Sequence, residues 1–175
     1  ITNPDVRKRF IDYSIGRFVR GIQLDQSAIY GEKELQNQLA IGFSGNLPQL
    51  LQPSGDRYTF SPVLVPSEMA SLVPDATREF PLELKTWAKV LPYFVSLELP
   101  EDSDWTFLEV PEDTILFSDF GVYSLIFHIE GRKLNITRSI LVPAQRIEPK
   151  DYSRFADFCR KVDAAEKRDV IIGRK

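Results

Sequence analysis

The chain has 175 residues, 43% hydrophobic and 27% charged, with a net charge of −3, so it suits one domain or two small ones and is not a disordered chain. The acidic balance leaves no footprint for nucleic acid or an anionic membrane, and no apolar run approaches the roughly 20 residues that span a bilayer. A single Cys excludes an internal disulfide framework and a cysteine-based zinc site.

The chain opens on Ile1, with neither Met nor a leader segment before it; it begins inside a larger gene product or after processing, and the expectation is an excised piece. Asn3-Pro4-Asp5 reads as a helix start, with Asn as cap and Pro just inside. Val6, Phe10, Ile11, Tyr13, Ile15, Phe18 and Val19 then make a broad apolar stripe that Gly21 ends. The stripe is too wide for one partner. Part of it is expected to pack locally and the rest to meet a preceding domain. Residues 1–20 are therefore read as a linking helix and 21–175 as a β-rich domain.

Ile22 to Tyr30 and Leu35 to Phe43 alternate as strands, with Leu35, Asn37, Leu39, Ile41 and Phe43 on one face. Gly45-Asn46 and Ser54-Gly55-Asp56 read as turns, the second before a short strand 57–60. Residues 61–78 hold Pro62, Pro66 and Pro74. They read as a loop with a helical turn near 67–72, and as the best internal boundary. Strands follow at 80–86, 93–99, 105–110 and 114–117. Tyr93, Val95, Leu97 and Leu99 alternate against Phe94, Ser96 and Glu98.

Residues 122–130 and 133–142 flank Gly131-Arg132 and predict a hairpin with a type II′ turn. That turn pairs Glu130 with Lys133, His128 with Asn135, Ile126 with Thr137 and Ser124 with Ser139. The apolar face pairs Ile129 with Leu134, Phe127 with Ile136, Leu125 with Arg138 and Tyr123 with Ile140. A slip of one residue would mix the faces, so the pattern specifies the register. Arg138 breaks the apolar face and is assigned to the sheet edge. A helix is predicted over 148–166, with Glu148 as cap, Pro149 in its first turn and a stripe of Tyr152, Phe155, Ala156, Phe158, Cys159 and Val162. Val170-Ile171-Ile172 reads as a short last strand. The fold class is mostly β with flanking helices, an antiparallel sandwich-like domain with one helix at each end, because no βαβ alternation appears.

Few residues suggest chemistry. His128 and Cys159 spell a Cys–His pair, but His128 falls on the polar hairpin face and Cys159 inside the apolar helix stripe. A thiolate nucleophile needs a neighbouring base and some exposure, so the expectation is an exposed His and a buried Cys. The acids of Glu101–Asp104 lack the spacing of an EF-hand loop, and these and Glu109–Asp113 flank prolines between strands, so both read as solvated turns, not as a calcium site or a hydrolytic carboxylate pair. Trp87, Trp105 and Tyr93 offer a sugar-stacking platform but are expected in the core. Asn135-Ile136-Thr137 spells a glycosylation sequon, relevant only in a glycosylating secretory host. Gly42 and Gly45 do not make a phosphate loop. No catalytic residue, cofactor or metal is expected.

Thr77–Leu84, Tyr93–Pro100, Phe120–Leu125 with the hairpin, and Arg146–Tyr152 with Phe155, Phe158 and Val162 follow one another in an order that resembles the C-terminal region of bacterial transglutaminase-like proteins. The resemblance implies a multi-domain, usually exported chain: a papain-like core with Cys, His and Asp in that order, then a β-rich domain closed by a helix. Leu35 to Phe60 looks like the segment joining the two. Here the only Cys follows the only His, so the resemblance places the catalytic core before residue 1 and carries no catalytic residue onto this chain. It implies a non-catalytic accessory domain, periplasmic or extracellular, whose partners are the preceding transglutaminase-like domain and a protein or peptide substrate. The alternatives are a free-standing binding module for carbohydrate or peptide and, last, a small hydrolase using the acidic loops.

Overall fold

The computed structural model describes residues 4–31, 40–74, 77–84, 89–90 and 92–174. The expected Asn3 cap, the first half of the strand predicted over 35–43, and Trp87 lie outside them. The chain divides into two compact units, 1–52 and 53–175. The division falls neither at residue 20 nor in the proline-bearing segment 61–78.

In the first unit, helix α1 (Pro4–Phe18) precedes β1 (Gln23–Tyr30) and β2 (Ala40–Asn46), which pair antiparallel. Ile11, Ile15 and Val19, spaced four apart, form the buried side of the helix. Gly21 leaves it at φ +79°. Asp12 accepts a hydrogen bond from Ser27 Oγ on β1 (2.8 Å) and pairs with Lys8 (2.6 Å), and both partners hold its carboxyl below the usual range. The Ser27 bond ties the helix to the hairpin. Phe10, Tyr13 and Phe18 stay exposed. Gly45-Asn46 is not a turn: both residues lie within β2, opposite a bulge between Leu24 and Gln26. A Cβ on Gly45 would sit 2.3 Å from the Gln23 carbonyl oxygen, so the glycine serves a close backbone approach.

β3 (Gln52–Ser54) starts at the last residue of the first unit, and the second continues with β4 (Arg57–Phe60), a 3-10 turn at Met69–Leu72, and the short β5 (Leu82–Glu83) and β6 (Lys89–Val90). Then come β7 (Tyr93–Glu98), β8 (Trp105–Glu109), β9 (Thr114–Ser118), β10 (Gly121–Glu130) and β11 (Lys133–Val142). The unit ends with β12 (Arg146–Ile147), α2 (Tyr152–Glu166) and β13 (Val170–Arg174). One sheet runs β6-β11-β10-β9, with β7 on the same side of β11 as β6. A second runs β3-β4-β13-β8, and β5 pairs with β12. The strand pairings are antiparallel throughout, so the expected fold class holds. Two strands play unexpected parts. β3 takes up Ser54 of the expected 54–56 turn as its last residue, and β13, expected as a short final strand, is central in its sheet, with Val170 and Ile172 buried.

The β10–β11 register is the one the pattern specifies, from Glu130↔Lys133 to Tyr123↔Ile140. Gly131 has φ +60°, and Arg132 is not in the left-handed region, as a type II′ turn requires. A Cβ on Gly131 meets no atom within 4 Å, so the penalty for a side chain is purely conformational. Gly131→Val is expected to destabilise the unit by roughly 1–3 kcal/mol. An unchanged melting temperature would show that the turn relaxes freely.

A 3-10 turn at Pro149–Asp151 leads into α2. Glu148 does not cap with its side chain: its carboxylate takes the Arg146 guanidinium (2.8 Å), and its backbone oxygen accepts from Asp151 N (2.9 Å). All six stripe residues are buried, and Phe155 meets Phe120 edge-on at 5.5 Å. The helix packs on β9, β10 and the 3-10 turn at 69–72. Arg138 is not at an edge. It lies in mid-sheet between Leu125 of β10 and Tyr93 of β7, only 4% exposed.

Candidate functional site

His128 is exposed on the outer face of β10, while Cys159 is fully buried in the α2 stripe. Burial pushes the Cys159 thiol up to about 12, and the Asp163 charge one turn on adds to it. The fold does not bring the two together. The acids between strands also stand apart. Asp113 Oδ1 accepts the Phe127 backbone N–H (2.8 Å), a structural task at the end of β9. Glu109 faces solvent near Arg57. No cluster of three His, Cys, Asp or Glu side chains suited to a metal occurs among the described residues. Tyr93 and Trp105 belong to different sheets and form no common platform.

Where Tyr93 points, a buried polar cluster appears that no motif announced. Arg138 Nη1 donates to Glu166 Oε1 (3.0 Å) and to the Val65 carbonyl (2.8 Å). Glu166, 3% exposed, accepts the Ser67 backbone N–H on its other oxygen (2.7 Å). One turn earlier, Asp163 accepts from the backbone N–H groups of Met69 (2.7 Å) and Ala70 (3.0 Å). The Tyr93 ring lies 4.7 Å from the Arg138 guanidinium carbon, and its hydroxyl accepts from Leu64 N (2.9 Å). Burial pushes that phenol up to about 12. Two α2 carboxylates and one β11 guanidinium thus fasten the irregular segment 62–70 to the helix and the sheet. Charged groups this deep are tolerated because each finds a partner. The two carboxylates are taken up by backbone N–H groups and the Arg138 guanidinium, whose Nε is buried without a hydrogen-bond partner, so the cluster ties segments together. The signal was present in the sequence, since Glu166 continues the three-and-four spacing of Tyr152, Phe155, Cys159 and Val162 just as Arg138 sits on the apolar hairpin face.

The accessible feature lies elsewhere. A cavity of about 390 Å³ opens between the β10–β11 turn, the end of β7 and the start of β8. Leu99, Ser103, Asp104, Trp105, Thr106, Gly131 and Arg132 line it. Pairing of β7 with β11 brings residue 99 beside residue 132, and Leu99 N donates to Arg132 O (3.0 Å). The Arg132 side chain then folds back: Nε donates to Leu99 O (3.4 Å), and Nη2 to Pro100 O and to Ser103 Oγ (2.7 Å). Ser103 Oγ in turn donates to Pro100 O (2.8 Å). Trp105 is half-buried, held edge-on by Tyr58 at 5.0 Å with Arg174 over its ring at 5.9 Å. Neither Arg132 nor Asp104 makes an ion pair with a described residue.

The profile of a domain of unknown function with a solved structure (DUF3858) matches residues 56–172, nearly the whole second unit. None of the curated proteins matches the chain. A solved structure from Parabacteroides distasonis, described as that of a candidate protease, is similar at a TM-score of 0.44 with 16% identity. The likeness covers 59% of this chain and 20% of that one, so the chain spans a fifth of that protein's length. With well over half of its residues under one family profile, the chain belongs to the DUF3858 family.

Proposed function

We propose that this chain is a non-catalytic accessory module of an exported transglutaminase-like protein, working in the periplasm or outside the cell. It braces a catalytic core carried elsewhere in the same gene product or presents protein substrate to it. The observation that carries the non-catalytic half is the condition of Cys159: the only thiol is enclosed by apolar neighbours, its ionisation is suppressed, and the only imidazole faces solvent on β10. The motif order at 77–84, 93–100, 120–142 and 146–162 supports the parentage. α1 supports a docking role, because Phe10 and Tyr13 project from the side of the helix opposite its buried residues, 61% and 66% exposed.

The test has two arms. Native protein is expected to leave Cys159 unlabelled by iodoacetamide at neutral pH until denaturant is added, and to show no turnover of peptide or acyl-transfer substrates. Turnover abolished by Cys159→Ala would overturn the non-catalytic reading. The coding sequence upstream of Ile1 is expected to carry Cys, His and Asp in that order. The polypeptide it encodes should gain thermal stability when joined to this chain, and lose that gain with Phe10→Glu and Tyr13→Glu. An upstream sequence without the three residues would overturn the parentage.

A further inference from the structure

We propose that the cavity between the β10–β11 turn and β8 is a binding site for a single neutral pyranose unit, a free sugar or the end of a glycan. This is independent of the accessory role. The argument starts from the charges. Arg132 and Asp104 both line the cavity, and neither is neutralised by a described residue, so the walls carry one positive and one negative group and select no net charge. A ligand suited to such walls offers donors and acceptors at once.

The hydrogen-bond inventory narrows the class further. Of the five guanidinium N–H groups of Arg132, those on Nε and Nη2 are committed to Leu99 O, Pro100 O and Ser103 Oγ. Only Nη1 is left to donate. Arginine selects carboxylate and phosphate by presenting two nitrogens as a fork, and here the fork is already spent on the protein. A single rigid nitrogen suits one hydroxyl oxygen. The Asp104 carboxylate accepts from hydroxyls and repels a ligand carboxylate. Thr106 Oγ1, which makes no hydrogen bond with a described residue, can give or accept. Leu99 and the half-buried Trp105 supply apolar wall for ring C–H groups. Donor, acceptor, hydroxyl and apolar wall within about 390 Å³ are the complement of a small polyhydroxylated ring. The site is preorganised, since the bonds of Arg132 and the packing of Trp105 on Tyr58 are made without a ligand.

The experiment is an amide and indole NMR titration of the intact chain with glucose, galactose, mannose and N-acetylglucosamine. At least one sugar is expected to give saturable shifts at the Trp105 indole N–H and at the backbone of Ser103, Thr106 and Arg132, with a Kd of about 1 mM, the range set by a few surface hydrogen bonds. Trp105→Ala would disturb the Tyr58 contact, so the informative variants are Asp104→Ala and Thr106→Val at the rim. Asp104→Ala is expected to weaken binding about tenfold, the loss of one charge-assisted bond, without changing the melting temperature. Failure of all four sugars to shift these signals at about 100 mM, a hundredfold above that Kd, overturns the proposal. So do sugar binding indifferent to Asp104→Ala, and shifts produced by glycylglycine but not by sugars, which would make the cavity a site for a zwitterionic peptide terminus.

Discussion

Glu166→Ala is expected to destabilise the 53–175 unit by about 3–5 kcal/mol, the usual consequence of removing one partner from a buried ion pair. The substitution strands the Arg138 guanidinium in mid-sheet, where Leu125 and Tyr93 flank it and water does not reach. It also removes the acceptor of the Ser67 backbone N–H. The larger part of the effect is the uncompensated charge, and a double substitution separates the two contributions. Arg138→Met with Glu166→Leu removes both charges and keeps apolar volume, so it should cost clearly less than the sum of the single changes. Urea unfolding of the parent, Arg138→Met, Glu166→Leu and the double variant measures the coupling. A Glu166→Ala protein within about 1 kcal/mol of the parent would mean that Arg138 escapes to solvent and that the cluster does not hold the 62–70 segment.

Phe155→Ala should cost a comparable amount, about 3–5 kcal/mol, by a different route. The ring has no solvent exposure and stands edge-on to Phe120. Truncation loses the transfer energy of the ring and the edge-to-face contact, and leaves a cavity under a helix that cannot collapse into it, because Asp163 and Glu166 pin that helix at its other end. Against a total stability of about 5–15 kcal/mol, either substitution threatens the fold. A drop in melting temperature of only a degree or two would show that α2 is a loosely attached cover.

Phe155 belongs to the most legible part of the sequence. The hairpin register followed from period-two alternation and a glycine at the right place. The α2 stripe followed from three-and-four spacing. Arg138 and Glu166 were harder because each breaks its own pattern. Arg138 reads as a flaw on an apolar face, and Glu166 as a charge at the next position of an apolar helix stripe. Only when the two elements pack do the exceptions cancel. Gly45 misled for a similar reason: a Gly-Asn pair signals a turn locally, whereas its use comes from the backbone of β1 across the ladder. β13 was visible as three strand-like residues, Val170 to Ile172, but its central place depends on β4 and β8, distant in sequence, which no local pattern reports. The cavity was illegible for the same cause. Arg132 has the spelling of an ordinary turn residue, and its grip on Leu99, Pro100 and Ser103 exists only after β7 has paired with β11.

The position of β13 also constrains how the unit is made. Synthesis delivers β4 early, β8 midway and the strand that separates them after α2. While the ribosome is still adding residues up to 174, β4 and β8 have no neighbour on the sides they later share with β13. The five-stranded sheet can assemble first, since its pairings are complete by Val142. The four-stranded sheet forms only by capture of the trailing segment, and until then two unpaired strand edges are open to another chain. A stop codon shortly before Val170 would therefore release a molecule with a finished half and an unfinished half, a natural substrate for chaperones and quality-control proteases.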